Sequence, residues 1–248
     1  MILKKIKHLI NEFRIRDENL KLQNEHLKAQ NAELEWAHIY HDTIKDKEWL
    51  KNLAISPGRW AGNYSFFYVL VRILSDCKPK KIIEFGLGES SKIVSSFLEN
   101  ELFGSIQLII EQDKIWIEAF QSRFNLSPNS AIMYLPLEGK TIKGFPVTSY
   151  NGIKEKINEI FDLYIIDGPF GSEKFSRYDI CLLAEKLGAN DEFIIIIDDC
   201  NRHGEKETTT ELLNQLAIKG LKIHTGFYSG NKSQIIIATE KYRFATSM

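Results

Sequence analysis

The sequence predicts a doubly wound α/β fold. Its mostly parallel seven-stranded sheet closes on a C-terminal antiparallel hairpin, and a long N-terminal helix or coiled coil precedes it. Three observations predict this. From residue 81, short apolar runs alternate with segments of helical spacing, the signature of βα units. The runs are continuously apolar, as in Phe193-Ile194-Ile195-Ile196-Ile197, which suits strands covered on both faces. The first fifty residues contain no Gly and no Pro, so nothing breaks a helix there.

Residues 1–50 carry a heptad pattern. With Leu3 at position a, the d positions read Ile6, Phe13, Leu20, Leu27 and Leu34, and the a positions read Leu3, Ile10, Asp17, Asn24, Asn31 and His38. An apolar seam of period 3.5 predicts a coiled coil, and Asn at position a favours a parallel dimer. The competing reading is one solvated helix lying on its own domain. Ser56-Pro57-Gly58 ends this region, so the expected division is a helix over 1–50 and an α/β domain over 56–248. A helix over Tyr64–Asp76 follows, stopped by Lys78-Pro79-Lys80.

Strands are expected at Lys81–Phe85, Ile106–Ile110, Ala131–Leu135, Phe161–Ile166, Phe193–Ile197, Lys222–Tyr228 and Gln234–Thr239. Helices are expected near 91–102, 114–124, 152–160 and 175–187. The connection between the last two strands, Ser229–Ser233, is too short for a parallel crossover, so that pair forms the hairpin.

Composition narrows the partners. With 248 residues, 44% of them hydrophobic, the chain can bury a large core, and its net charge of −1 favours neither nucleic acid nor an anionic membrane. No apolar run approaches the roughly 18 residues of a membrane span, and the N-terminus lacks the apolar core of a signal peptide. Cys77, Cys181 and Cys200 are odd in number and unclustered, so no zinc site or disulfide framework is expected, and a reducing cytoplasm is the simplest location.

In a doubly wound sheet, ligands bind beyond the carboxyl ends of the strands. The first strand ends in Glu84-Phe85-Gly86-Leu87-Gly88-Glu89-Ser90-Ser91. Two glycines let backbone approach a ligand, and the helix start offers free N–H groups. After the second strand comes Glu111, placed to accept hydrogen bonds from ribose hydroxyls. A nicotinamide dinucleotide fits poorly. The third fingerprint glycine is Ser91, and Glu84 would repel a pyrophosphate. A cationic cofactor without phosphate avoids both objections.

These residues resemble the class I S-adenosylmethionine-dependent methyltransferases: Glu84-Phe85-Gly86-Leu87-Gly88 matches their first motif and Glu111 their acid after the second strand. The resemblance spans roughly residues 60–240. It implies that Gly86 and Gly88 line the methionine and ribose, that Glu84 orients the amino group through water or directly, that Ser90 stands at a helix N-terminus where many members have glycine, and that Glu111 holds the ribose. Leu135-Pro136-Leu137-Glu138 leaves the adenine contacts unassigned.

After the fourth strand comes Asp167-Gly168-Pro169-Phe170-Gly171, and after the fifth Asp198-Asp199-Cys200-Asn201-Arg202-His203. Three carboxylates at one rim need a cation, a shared proton or Arg202. Three readings stay open. Asp167, Asp198 and Asp199 would hold Mg²⁺ or Mn²⁺, as the similarity to catechol-type O-methyltransferases implies. Asp167, Asp199 or His203 would serve, without metal, to deprotonate or position the acceptor. Or the cluster is structural, with Arg202 paired to Asp199. Arg59 is placed to meet an anionic substrate, and Trp60, Asn63 and Tyr64 to form a lid, unless Trp60 and Tyr64 pack under the helix junction.

The reading is therefore methyl transfer, to oxygen of a small polar molecule. A looser likeness to bacterial polysaccharide methyltransferases implies a sugar or surface-glycan precursor. The alternatives are N-methylation, since Asp167-Gly168-Pro169-Phe170 resembles the Asp/Asn-Pro-Pro-Tyr/Phe loop of amino-group enzymes with Gly at its second position, and a non-catalytic coiled-coil scaffold.

Overall fold

The computed structural model describes residues 2–248; the side chains of Ile2, Leu3, Lys4, Ile6 and Leu9 lie outside that description, so the seam positions Leu3 and Ile6 do too. The chain begins with α1 (Ile2–Thr43) and α2 (Glu48–Lys51). Next comes α3 (Tyr64–Arg72), prolonged by a π turn (Ile73–Cys77). Then follow β1 (Lys81–Phe85), α4 (Glu89–Asn100), β2 (Ile106–Glu111), α5 (Lys114–Gln121), β3 (Ser130–Tyr134), β4 (Leu137–Ile142), β5 (Phe145–Tyr150) and α6 (Ile153–Lys156). The rest is β6 (Leu163–Ile166), α7 (Asp179–Ala184), β7 (Ile194–Ile197), α8 (His203–Ile218), β8 (Ile223–Ser229), β9 (Ser233–Thr239) and a closing 3-10 segment (Glu240–Thr246).

The main sheet runs β3-β2-β1-β6-β7-β9-β8. Strands β1, β2, β3, β6 and β7 are parallel, and β9 lies antiparallel between β7 and β8. The expected seven-stranded sheet and its hairpin are thus both present. Ile194–Ile197 are fully buried because helices cover both faces. Burying such a side chain contributes roughly 1.5–3 kcal/mol. One core lies against α3, α4 and the end of α1, the other against α7 and α8.

Three segments depart from expectation. Residues 137–150, where the sequence pattern predicts no element, form a separate antiparallel hairpin, β4–β5. Its two-residue turn, Lys143-Gly144, has φ of 50° and 87°, the left-handed pair that matches strand twist. The helices expected near 152–160 and 175–187 shorten to α6 and α7, and α8 was not anticipated.

Helix α1, about 60 Å long at 1.5 Å per residue, has two regimes. From Glu33 onward one face packs on the α/β unit. Tyr40 and Ile44 are buried, and the Trp36 indole N–H donates to Ser229 O (2.9 Å). Trp36 also stacks near Tyr68 and Tyr228. Glu33 accepts from Asn63 Nδ2 (2.7 Å), Tyr64 N–H (2.7 Å) and Asn231 N–H (2.9 Å). The seam residues Ile10, Phe13, Leu20, Leu27 and Leu34 remain exposed. No helix among the described residues is long and apolar enough to cross a membrane.

Candidate active site

A cavity of about 640 Å³ opens at the carboxyl ends of the parallel strands, where strand order reverses between β1 and β6. Its walls are the β1–α4 turn, the loops after β2, β6 and β7, Lys232 in the β8–β9 turn, and residues 56–62.

At one end, Gly86 has φ +96°, a backbone state that favours glycine. A Cβ at Gly88 would meet nothing within 4 Å, so backbone is left open to a ligand. Ser90 stands on the same wall. Glu111 accepts from Leu87 N–H (2.9 Å), Gln112 N–H (2.7 Å) and Asp113 N–H (2.8 Å), which ties the two cradle loops together. Trp116 donates its indole N–H to Leu87 O (2.7 Å) and shares the wall.

Glu84 requires a correction. It does not reach the cavity: its carboxyl is fully buried, accepting from Ser90 Oγ (2.5 Å) and Gln107 Nε2 (2.6 Å) beneath the turn. Burial raises its pKa from 4.5 to about 7, against the opposing pull of those hydrogen bonds and Ser91. The carboxyl supports the turn from beneath and does not line the cavity.

At the other end, Asp167, Asp198 and Asp199 bring carboxylate oxygens within 4.8 Å of one another. Cations already occupy their surroundings. Arg177 Nη2 lies 2.7 Å from Asp199 and 3.3 Å from Asp167. Lys232 Nζ lies 3.5 Å from both Asp198 and Asp199, and Arg202 Nη1 3.2 Å from Asp199. Asp198, fully buried, also accepts from Gln234 Nε2 (2.7 Å). The oxygen donors alone would suit a divalent ion, but an ion there would face a guanidinium and an ammonium at close range. The site does not fit a metal. Asp167 faces the cavity with its carboxyl held well above the usual range, by burial first and by Asp198 second. Asp199 and Arg177 both adopt left-handed backbone, φ 59° and 58°, and such strain concentrates at functional sites.

His203 is also corrected. It begins α8 with its side chain 69% exposed and 3.2 Å from Glu207, and the cavity wall does not include it. The α8 geometry turns it to solvent, away from the cavity lining. Trp60 and Arg59 do line the cavity, whereas Tyr64 packs on Tyr40 and His41 of α1. Asn63 instead caps α3 through Phe66 N–H.

Sequence reasoning missed Arg177, Lys232 and Trp116. Lys232 was findable: the expected hairpin turn necessarily returns to the ligand-binding rim. Trp116 follows closely after Glu111 and was findable by the same logic. Arg177 has no local signal, since a long loop from β6 carries it under the cluster.

The sequence matches no protein-family model, and no curated protein matches it. Among solved structures, the chain is similar to the O-methyltransferase TomG from Streptomyces achromogenes in complex with SAM, at 14% identity over 82% of this chain and 89% of that one, TM-score 0.48. It is similar to the O-methyltransferase from Bacillus cereus in complex with SAH (14%, 82% and 91%, TM-score 0.47). It is also similar to the precorrin-6y C5,15-methyltransferase from Geobacter metallireducens (13%, 77% and 96%, TM-score 0.46). The sheet order β3-β2-β1-β6-β7-β9-β8, with β9 antiparallel, is the doubly wound α/β architecture that the sequence predicts.

Proposed function

We propose that the protein is an S-adenosylmethionine-dependent methyltransferase that methylates a hydroxyl of a small polar molecule, with a sugar or surface-glycan precursor as the acceptor class. The observation that carries this reading is one continuous cavity with a glycine cradle and Glu111 at one end and Asp167 at the other. S-adenosylmethionine, when bound, supplies an activated methyl group on a sulfonium. Gly86, Gly88 and Ser90 would leave room for it, and Glu111 would accept from its ribose. Asp167 would accept the proton of the acceptor hydroxyl as that oxygen attacks. Its raised pKa makes it a stronger base than an ordinary carboxylate. Arg177 and Lys232 balance the neighbouring aspartates, so the chemistry reads as metal-free. Holding acceptor and donor in line can supply roughly 7–11 kcal/mol of the barrier.

Titration calorimetry tests the cofactor half. S-adenosylhomocysteine should bind, NADH should not, and Glu111→Ala should weaken binding about tenfold or more. Absence of binding, or a Glu111→Ala variant indistinguishable from wild type, would remove the enzymatic reading and favour the scaffold.

Self-association belongs to the same proposal. The seam of α1 from Ile10 to Leu34 faces away from the chain's own domain, which leaves it free to pair with a second copy.

A further inference from the structure

The charges lining the cavity differ in how fully they are paired. Around the loops after β1 and β2 stand Glu111 and Asp113, with no cation among the lining residues there, and Glu89, paired with Lys92 (2.8 Å). The far end carries Arg177, Arg202 and Lys232 among Asp167, Asp198, Asp199 and Glu205, and Arg59 stands on the wall formed by residues 56–62. Arg177, Arg202 and Lys232 all converge on Asp199, at 2.7, 3.2 and 3.5 Å. One carboxylate balances one of them. Arg177 is shared with Asp167 and Lys232 with Asp198, but Arg202, half exposed, has beyond Asp199 only a 3.8 Å approach to Glu205. Arg59 has no ion-pair or hydrogen-bond partner among the described residues, and left-handed backbone (φ 55°) sets it on the cavity wall. Beside it Trp60 is 89% exposed, and Phe170 is exposed on the same wall.

We propose that the acceptor is anionic: a small hydroxylated carboxylate or phosphate whose charged group is held by Arg59 and Arg202 while its ring face lies on Trp60. The inference deepens the methyltransferase reading and rests on it. Arginine forks match carboxylate and phosphate oxygens in paired hydrogen bonds. The charges also fit both reactants: Glu111 and Asp113 suit a cationic donor, and Arg59, the cation left without a partner among the described residues, suits an anionic acceptor. Complementary fields of this kind orient each molecule and discourage the reverse binding mode. A hydroxyl beside the held anion would then lie near Asp167.

The test uses the full chain. S-adenosylhomocysteine is titrated first. On the saturated protein, glucuronate, glucose 6-phosphate and 4-hydroxybenzoate are titrated beside the neutral glucose and 4-hydroxybenzyl alcohol. At least one anion should bind about tenfold more tightly than its neutral counterpart, and that preference should fall as salt rises. Comparison of glucuronate with glucose 6-phosphate distinguishes carboxylate from phosphate. Arg59→Gln and Arg202→Gln should each lower anion affinity about tenfold or more and leave S-adenosylhomocysteine affinity unchanged. Arg59 is exposed and unpartnered, so its variant folds even if Arg202→Gln disturbs Asp199. Equal binding of neutral and anionic molecules, no anion binding on the saturated protein, or an unaffected Arg59→Gln would overturn this inference alone. Failure of S-adenosylhomocysteine to bind would overturn the methyltransferase reading and this inference with it.

Discussion

Asp167 and Glu84 show how burial assigns different work to two carboxyls of one rim. Both are raised, Asp167 by burial and Asp198, Glu84 by burial to about 7. Asp167 opens on the cavity; Glu84 is sealed beneath the turn. If Asp167 takes the proton, it must be charged to do so. The methylation rate should then climb with pH through its raised pKa and level off above it. Asp167→Asn should cut single-turnover methylation roughly 10²–10⁴-fold while S-adenosylhomocysteine affinity stays the same, and EDTA should leave the wild-type rate unchanged. Glu84 affects stability. Its folded pKa exceeds the unfolded 4.5, so its contribution is fully present below about 4.5 and is lost as pH rises through about 7. That interval is worth about 3 kcal/mol. Urea unfolding at pH 5 and pH 8 should show wild type less stable at pH 8, and Glu84→Gln should shrink the difference. It should not vanish, because buried Asp179, raised to about 6, acts in the same direction.

At the scale of elements, the site depends on the close approach of two loops. A Cβ on Gly168 would meet Tyr150 Oη at 2.7 Å, Gly86 N at 3.0 Å and Phe85 C at 3.1 Å. The loop after β6 therefore rests directly on the β1–α4 turn, with β5 beneath. Gly168→Ala should cost about 1–3 kcal/mol in chemical denaturation and weaken S-adenosylhomocysteine binding, because the backbone atom displaced belongs to the cradle. The strands were legible because their apolar runs are continuous. The β4–β5 hairpin was not: it is half-exposed and partly charged, so its alternation is weak, and Lys143-Gly144 is a less conspicuous turn than Asn-Gly. Helix α8 escaped for a related reason, since Thr208, Thr209 and Thr210 follow a charged first turn and obscure its apolar face.

At the scale of the molecule, α1 serves two ends at once. Its last third is part of the core, and Glu33 clamps the cap of α3 to the turn carrying Lys232. From Asn63 the connection continues through Gln234 Nε2 (2.8 Å) to Asp198 (2.7 Å). Its first two thirds project an exposed seam. Two truncations separate these roles. Deleting residues 1–30 should abolish self-association in sedimentation while leaving the melting temperature within a few degrees. Deleting residues 1–45 removes Tyr40 and Ile44 as well, a loss of roughly 5 kcal/mol, and should lower the melting temperature by about 10 °C or more. An unchanged subunit number after the first deletion would remove the dimer from the proposal.

The sequence by itself determined the layered α/β architecture, the glycine turn, Glu111 at the next strand end and the meeting of three aspartates at one rim. Those follow from strand order and from the rule that strand ends share an edge, which local patterning records. The tertiary structure decided the charge balance and the direction of each side chain. It took Glu84 and His203 out of the cavity, one by burial and one by helix orientation. It also brought Arg177 and Lys232, far apart in the chain, onto the aspartates where a metal had been one reading. Such pairings depend on long-range approach of loops, which no local pattern encodes.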